Sequence, residues 1–294
     1  ATGLLELVAK SRRFAEFSGV LFSKRTLRMD RETMRQEENE ALNKTIAKFL
    51  KALCPFLLLP PAMHCLEYLI RKFAIHKHNV RELLMVSMPY HMTEEFSRIV
   101  RILHVRGTRY GWAEAFARAT TVVQRSHLAK QCERNPALLA FFLESMAEKN
   151  QSPEVLSFTF FVVAEFIEKC PNSRIDESLL VRILQSCVFP GLTPMSSKDG
   201  QAAAFLLILQ LSGKLGNLSE QLSTCILEET CRHCRKDLEQ QGLQVIVAVA
   251  ASTTSAGFAL PDKALKKLVR FDQLSQNLRQ LSKVSKAAMP RFWE

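Results

Sequence analysis

Apolar residues recur at steps of three and four along most of the chain. One such stripe consists of Ile175, Leu179, Leu180, Ile183 and Leu184. Spacing of this kind places side chains on one face of an α-helix. Strict two-residue alternation over the length of a strand is scarce. The pattern therefore predicts an all-α protein.

The first 135 residues contain stripes of irregular length and spacing. They predict five helices, at Leu4–Phe17, Glu38–Cys54, Ala62–Phe73, Val80–Met88 and Thr93–Leu103. Residues 104–113 interrupt the pattern with two glycines and two arginines, which are typical of a loop rather than a helix. We therefore predict that residues 1–135 form an amino-terminal region of irregular helix pairs, with a basic insert near 104–113.

Beyond residue 135 the stripes become periodic. After predicted helices at Pro136–Lys149 and Pro153–Cys170, one series begins near Ile175, Leu218 and Pro261, and a second runs from Ala202 to Val245, each step being 43 residues. Helix-pair arrays of the HEAT and armadillo kind repeat at about this period, because one pair cannot bury its own apolar face. We predict HEAT-like repeats over 136–294 and a HEAT/armadillo-like α-solenoid of stacked antiparallel helix pairs. An irregular helical domain with chance spacing is the alternative.

The uneven distribution of charge along the chain indicates a class of binding partner. Lys and Arg total 40 against 29 Asp and Glu, and residues 69–135 alone hold twelve Lys/Arg and five Asp/Glu. Such a basic zone favours acidic partners, including the phosphates of RNA. The residues predicted to contact RNA are Arg71, Lys72, Lys77, Arg81, Arg98, Arg101, Arg106 and Arg109. Tyr110 and Trp112 lie beside Arg109 and are candidates for base stacking; a solvated helix face is the alternative.

No pattern in the chain predicts catalysis or a bound cofactor. Cys231 and Cys234 form a Cys-x-x-Cys pair without the second pair that structural zinc needs, and the eight cysteines are typical of buried, reduced thiols. His76, His78 and His91 lack an accompanying carboxylate pattern, so packing or helix capping is predicted for them. We predict no enzyme activity, no metal, no cofactor and no small-molecule substrate.

The longest apolar runs, at 202–209 and 245–251, are far shorter than the ~20 residues of a membrane span. We therefore predict no membrane association. The chain begins at Ala1 and enters a helical pattern at once, so we expect it to be a fragment of a longer protein.

Several short motifs occur in the order known from one protein family. They are Phe56-Leu-Leu-Leu-Pro60, Cys65-Leu66-Glu67-Tyr68-Leu69-Ile70-Arg71-Lys72-Phe73, Ile75-His76, Asn79, Pro89-Tyr90-His91, Phe96 and Arg98-Ile99-Val100, preceded by Thr2–Leu7, Phe14–Phe17, Leu21–Ser23 and Asn43-Lys44. This series resembles the amino-terminal region of the HEAT repeat-containing protein 1 family, the U3 small-nucleolar-RNA-associated scaffolds of the small-subunit processome. Met92 departs from the family, which usually has an acidic residue there. Residues 104–135 and the carboxy-terminal part match only in helical character.

The resemblance implies an α-solenoid scaffold in the nucleus and nucleolus, acting in transcription and processing of pre-ribosomal RNA. It implies processome partners including β-propeller subunits, with pre-rRNA or the U3 ribonucleoprotein as a candidate contact. The motif residues carried over as structural or partner contacts are Pro60, Cys65, Leu66, Glu67, Tyr68, Leu69, Arg71, Ile75, His76, Pro89, Tyr90 and His91. Tyr90 and His91 are predicted to form either a packing corner or an exposed partner contact.

A rival hypothesis is a transport or adaptor receptor that binds peptides or cargo in a concave groove. Such receptors carry an Asn/Trp ladder on successive inner helices. Only Trp112 and Trp293 occur, and neither recurs at the repeat period, which disfavours this rival.

Overall fold

The structure is a computed structural model that describes residues 2–24, 26, 29–118, 123–148, 151–193, 196–253, 259–272 and 274–284. Within these ranges the regular structure is helical, and the only strand-like pairing is an isolated bridge between Leu218 and Thr253. The all-α prediction is therefore confirmed. The chain divides into two compact units, residues 1–162 and 163–294.

The first unit contains nine described α-helices and the start of a tenth. They are α1 Thr2–Lys10, α2 Gln36–Leu53, α3 Pro60–Phe73, α4 Ile75–His78, α5 Val80–Ser87, α6 Glu94–Ile102, α7 Glu114–Ala117, α8 Arg125–Arg134, α9 Pro136–Ala147 and α10 Pro153–Lys169. Short 3-10 segments occur at Arg12–Phe17, Cys54–Phe56, Met88–Tyr90 and Gly111–Ala113. α1 packs on α3, α2 on α5, and α8 on α9.

The second unit takes the end of α10 and the remaining described helices. These are α11 Glu177–Ile183, α12 Phe189–Gly191, α13 Lys198–Leu215, α14 Glu220–His233, α15 Glu239–Ala251, α16 Asp262–Leu268 and α17 Leu274–Val284, with a π-helical turn at Leu184–Val188 and 3-10 turns at Asn172–Arg174 and Lys236–Leu238. The β-branched run at 245–249 is helical, as predicted.

The helix predicted over Leu4–Phe17 is wrong in one respect, because it is broken at Ser11. Ser11 has extended backbone angles, φ −153° and ψ 119°, and a 3-10 segment follows it. A 3-10 helix has three residues per turn, so Phe14 and Phe17 still share one face, and both are buried. The apolar stripe therefore continues across a break that the spacing alone did not indicate.

The helix that begins with the Ile175 stripe contains a turn that the spacing did not indicate. After α11, the Phe189 N–H donates to the carbonyl of Leu184, five residues back, which makes a π turn. Pro190 then lies inside α12, which ends at Gly191. Proline lacks an N–H and its ring clashes with the preceding turn of an α-helix, so the wider turn just before it allows the helix to continue.

Helix starts in the second unit follow the spacing seen in the sequence. α11, α14 and α16 begin at Glu177, Glu220 and Asp262, which are 43 and 42 residues apart. α13 packs on α15, and α14 packs on α16, so each contacts the helix two further along the chain. Stacked helix pairs require this contact pattern. The repeat boundaries, and the division of the chain at residue 135, stay predictions.

Gln201 joins the helices of the second unit through buried hydrogen bonds. Its side chain is 1% exposed. The amide nitrogen donates to the carbonyl of His233 at 2.8 Å, and the amide oxygen accepts from the N–H of Arg235 at 2.9 Å. Backbone groups at the end of a helix lack intrahelical hydrogen-bond partners. The Gln201 side chain on α13 supplies such partners to two backbone groups where α14 ends.

Candidate nucleic-acid and partner interface

The residues of the predicted family motif divide by burial. Those with buried side chains are Cys65, Leu66, Leu69, Ile75 and His91; those exposed are Pro60, Glu67 and Arg71; and those half-buried are Tyr68, His76, Pro89 and Tyr90. Cys65, Leu66 and Leu69 lie on the inner face of α3 and Ile75 lies on α4, where they contribute to the core, and His91 follows the Met88–Tyr90 turn. Only the exposed and half-buried members have side-chain surface available to a partner.

Part of the motif is held by a buried arginine that the sequence analysis missed. Arg31 is 8% exposed. Its guanidinium donates to the carbonyl of Phe73 at 2.7 Å and to the side-chain oxygens of Asn39 and Asn43. Burial lowers the pKa of Arg31. The guanidinium therefore ties the 29–35 segment to the last residue of α3 and to α2.

The same network includes Asn79. Its side chain is 2% exposed and its amide nitrogen donates to the Asn43 carbonyl at 3.5 Å. Between Phe73 and Asn79, Ala74 adopts the left-handed conformation, with φ 46°, and caps the end of α3. Two motif residues, Asn43 and Phe73, thus bind the buried arginine directly, and a third, Asn79, binds Asn43, which gives this part of the motif a structural role.

Tyr68 and its neighbours on α3 form the outer part of the motif. The Tyr68 ring stacks on Phe22 with 5.1 Å between centroids, and its hydroxyl donates to the Leu21 carbonyl at 3.3 Å. A shallow groove on this face is lined by Tyr68 and by His64, Glu67, Arg71 and Lys72. Of the predicted RNA contacts, only Arg71 and Lys72 line this groove.

Tyr90 and His91 form a packed corner. The Tyr90 hydroxyl donates to the carbonyl of Cys54 at 2.6 Å, and burial, followed by the charges of Cys54 and Glu154, raises the pKa of Tyr90 to about 12. His91 is 8% exposed, and its ring lies 5.0 Å from that of Phe158. Burial lowers the pKa of His91. This geometry supports the packing alternative.

Replacing Tyr90 with phenylalanine tests this corner. We expect Tyr90→Phe to lower the free energy of unfolding by about 1 kcal/mol, because it leaves the Cys54 carbonyl without its donor. The measurement is urea denaturation of the chain. Tyr110→Phe is the control, since its hydroxyl accepts an exposed hydrogen bond from Arg109. An unchanged unfolding midpoint in Tyr90→Phe would contradict the packing role.

Arg81 does not belong to an open basic face. Its guanidinium lies 2.9 Å from Glu148, and the ammonium of Lys51 lies 2.5 Å from the other oxygen of the same carboxylate. These side chains are 19–28% exposed. Burial opposes ionisation of Glu148, but the hydrogen bonds from Lys51 and Arg81 outweigh it and lower the pKa of Glu148. Arg81 therefore joins α5 to the end of α9.

Stability should depend on pH through this carboxylate. A lowered folded-state pKa contributes stability above the unfolded value of 4.5, and that stability is lost as the pH falls through the folded-state pKa. We expect Glu148→Gln to cost about 1–2 kcal/mol at pH 7 and much less near pH 3. Urea denaturation at both pH values measures this. Glu144→Gln is the control, because Glu144 forms an exposed pair with Arg109, and it should lower the free energy of unfolding little at either pH. An equal loss of stability for Glu148→Gln at both pH values would contradict the prediction.

The other predicted RNA contacts lie at separate places in the first unit. Arg98 is paired with Glu94 at 3.6 Å and Arg109 with Glu144 at 3.8 Å, all of them well exposed. Arg101 donates to the carbonyl of Ala117 at 3.4 Å. The structure thus gives each of these arginines a local partner and does not gather them into one continuous stripe.

Base stacking on Trp112 is excluded by its burial. Trp112 is 9% exposed, and its ring lies 6.0 Å from Phe116 and 5.2 Å from Phe141. Tyr110 packs edge-on against Phe141 at 6.2 Å, with Arg109 over its ring at 5.0 Å. The aromatic residues of the 104–113 segment are therefore used to hold that segment to α9.

The structure does bring Lys77 and Arg106 to one edge, together with three histidines. The N–H of His104 donates to the carbonyl of His76 at 3.2 Å, and their rings are 5.3 Å apart. Lys77, His78, His104 and Arg106 are exposed and His76 is half-buried. These five residues are termed the histidine patch below. Packing was predicted for His76 and His78, but the exposed ring of His78 is not a core side chain; the His-x-His spacing beside Lys77 was the available signal.

The electrostatics of the histidine patch are dominated by positive charge. Burial, then His104 and Lys77, lowers the pKa of His76, and burial, then Arg31 and Lys77, lowers the pKa of His78. The carboxylate that acts on His78 is Glu32, and its opposing effect is the smallest. The lowered pKa values keep His76 and His78 largely neutral at pH 7, and an anion that approaches them favours their protonated forms.

The thiols are poorly suited to chemistry. All eight cysteines are free, and six are buried. Burial raises the pKa of Cys231 and of Cys234 to about 12, and a thiol is a weak nucleophile in its protonated form. In the part of the chain that the structure describes, no group of three His, Cys, Asp or Glu side chains is placed to hold a metal ion.

Comparison with known proteins bears on all of these residues. Residues 178–292 match the family model of U3 small nucleolar RNA-associated protein 10. The HEAT repeat-containing protein 1 homolog of Drosophila melanogaster is 28% identical over 96% of this chain and 14% of its own length. U3 small nucleolar RNA-associated protein 10 of Pyricularia oryzae is 27% identical over 96% of this chain and 16% of its own length. The resemblance to the HEAT repeat-containing protein 1 family is confirmed.

The human HEAT repeat-containing protein 1 matches a shorter stretch more strongly, with 36% identity over 38% of this chain and 5% of its own length. The HEAT repeat names of the relatives, with the helices described above, confirm the α-solenoid fold class. The match at 178–292 also extends the resemblance into the carboxy-terminal part, where the sequence indicated only helical character. The chain spans about one seventh of the length of the Drosophila melanogaster and Pyricularia oryzae relatives.

Proposed function

We propose that this chain is a docking part of a ribosome-biogenesis scaffold, which binds protein partners of the small-subunit processome in the nucleolus and supports pre-rRNA transcription and processing. The observation that carries the proposal is the alignment of 96% of the chain with relatives named for U3 small nucleolar RNA association. Partners include β-propeller proteins, and pre-rRNA or the U3 ribonucleoprotein is a further candidate contact.

The described surface supports binding rather than chemistry. Large apolar side chains stay exposed on several elements, among them Met92 at 59% and Phe161 at 47% in the first unit. Basic residues lie nearby on the same unit. A helical array with such a surface acts by presenting contacts to partners. Among the described residues no helix is long and apolar enough to cross a membrane.

The test is capture of the tagged chain from nuclear extract, with and without nuclease, followed by detection of U3 RNA and by mass spectrometry. We expect processome proteins in both samples and U3 RNA in the untreated one. The control is Gln201→Met, which changes a buried residue and should reduce recovery only in proportion to unfolding. Absence of processome proteins from both samples, with import cargo recovered instead, would overturn the proposal and favour the transport receptor.

A further inference from the structure

We propose that the histidine patch binds the phosphate backbone of RNA, with its imidazoles taking up protons as the RNA binds. The proposal deepens the proposed function, because it names a residue cluster for the candidate RNA contact. It rests on a juxtaposition that the sequence did not show, between α4 and the 104–106 segment.

The geometry gives the patch a fixed framework. The backbone hydrogen bond between His104 and His76 holds the two segments together. The following turn contains Gly107 at φ 74°, a conformation that glycine adopts readily. Arg106, which precedes this glycine, is exposed. An exposed lysine, an exposed arginine and two exposed imidazoles are therefore held on one edge.

Charge separates this patch from the paired arginines of the basic zone. Arg81, Arg98 and Arg109 each have a carboxylate partner. Among the described residues, neither Lys77 nor Arg106 forms an ion pair. Placing like charges together costs free energy, which an incoming polyanion recovers. Lys77 and Arg106 are thus among the exposed cations of the zone that no described carboxylate compensates.

The chemistry of the patch favours phosphate over bases. The ring of Trp112 in the adjoining segment is buried against Phe141, and the half-buried ring of Tyr110 packs edge-on against the same residue with Arg109 over its face. Lysine, arginine and protonated histidine all donate to phosphate oxygens. The interaction should therefore be insensitive to RNA sequence, strongly dependent on salt, and tighter at lower pH, because phosphate raises the pKa of the imidazoles it contacts.

The test uses the full chain and a fluorescein-labelled 20-nucleotide single-stranded RNA of mixed sequence, with anisotropy as the readout. We expect Lys77→Gln/Arg106→Gln to weaken binding about tenfold at 50 mM salt and to reduce the log–log salt slope by about 1–2. The matched control Lys130→Gln/Arg134→Gln removes the same charge from exposed positions on α8 and should change the Kd less than threefold. Equal weakening by both pairs would overturn the site.

The pH dependence gives a second readout. Between pH 7.5 and pH 6.0 we expect the affinity of the unaltered chain to rise about three- to tenfold. His78→Gln/His104→Gln should remove most of that rise, whereas His127→Gln, an exposed histidine on α8, should keep it. Circular dichroism melting checks that each variant is folded. An unchanged pH profile in the double variant would overturn proton uptake by the patch.

Two outcomes distinguish this inference from the proposed function. If the chain recovers processome proteins but binds no RNA, the patch proposal is wrong and the scaffold proposal stands. If poly-glutamate of similar charge displaces the RNA at equal concentration and responds to the same variants, the patch is a site for acidic protein segments, and the RNA assignment is overturned. A 20-nucleotide RNA that is displaced only by other nucleic acids supports it.

Discussion

Arg31→Met is expected to cost about 3–4 kcal/mol of the free energy of unfolding of the chain. The substitution keeps an apolar stem of similar length but removes three donors from a site that is 8% exposed. The Phe73 carbonyl and the oxygens of Asn39 and Asn43 would then be left without that donor. Each buried polar group left without a partner costs about 1–3 kcal/mol. The expected loss is smaller than the total for the three acceptors, because the 29–35 segment can relax and expose them to water.

Arg31→Lys should rescue little of this loss. A lysine ammonium is a single charge centre on a flexible stem, whereas the guanidinium donates in fixed directions to three acceptors at once. Arg13→Met is the matched control, because Arg13 is exposed on the 3-10 segment after α1. Urea denaturation followed by circular dichroism measures all three variants. A cost below about 1 kcal/mol for Arg31→Met would show that the network contributes little.

Gln201→Met is expected to cost about 2–4 kcal/mol in the second unit. Methionine is similar in size and fits the buried position sterically, so the loss reports on hydrogen bonding rather than on a cavity. The His233 carbonyl and the Arg235 N–H would lose their partners at 2.8 and 2.9 Å, and both lie where α14 ends. Two unsatisfied buried backbone groups account for the expected size.

Gln241→Met is the control for this second prediction. Gln241 is exposed on α15, so the same change of side chain should leave stability within about 0.5 kcal/mol of the unaltered chain. Hydrogen exchange gives a local readout, because amides near the end of α14 should exchange faster in Gln201→Met. Protection equal to that of the control would contradict the role of Gln201.

The Arg31 network explains why a family motif need not mark a binding site. Asn43, Phe73 and Asn79 were recognised from their order along the chain, and in the structure Asn43 and Phe73 bind Arg31 while Asn79 binds Asn43. Their side chains and carbonyls fix where α2, α3 and α5 meet. The residues left for partners are those with exposed side chains, such as Glu67 and Arg71.

The sequence also predicted several functional features that the structure assigns differently. Arg81 was placed with the RNA contacts, but it pairs with Glu148. Trp112 was a stacking candidate, but it is buried against Phe116 and Phe141. In both cases the deciding contact comes from a distant segment, since Glu148 lies 67 residues from Arg81. The spacing of residues within one segment does not indicate which distant residue a side chain will contact.

By itself the sequence determined the helical class of this protein, most helix positions, the resemblance to the HEAT repeat-containing protein 1 family, and the basic character of residues 69–135. Apolar spacing reports which residues share a helix face, and composition reports charge, so both can be read without coordinates. Only the tertiary structure decided which charges are buried, which are paired and which are left exposed. Arg31 is buried because the Phe73 carbonyl, 42 residues away, lies within 2.7 Å, whereas Lys77 and Arg106 share one edge because α4 meets the 104–106 segment there. Side-chain environment depends on contacts between distant segments, and the spacing of residues along one segment does not encode them.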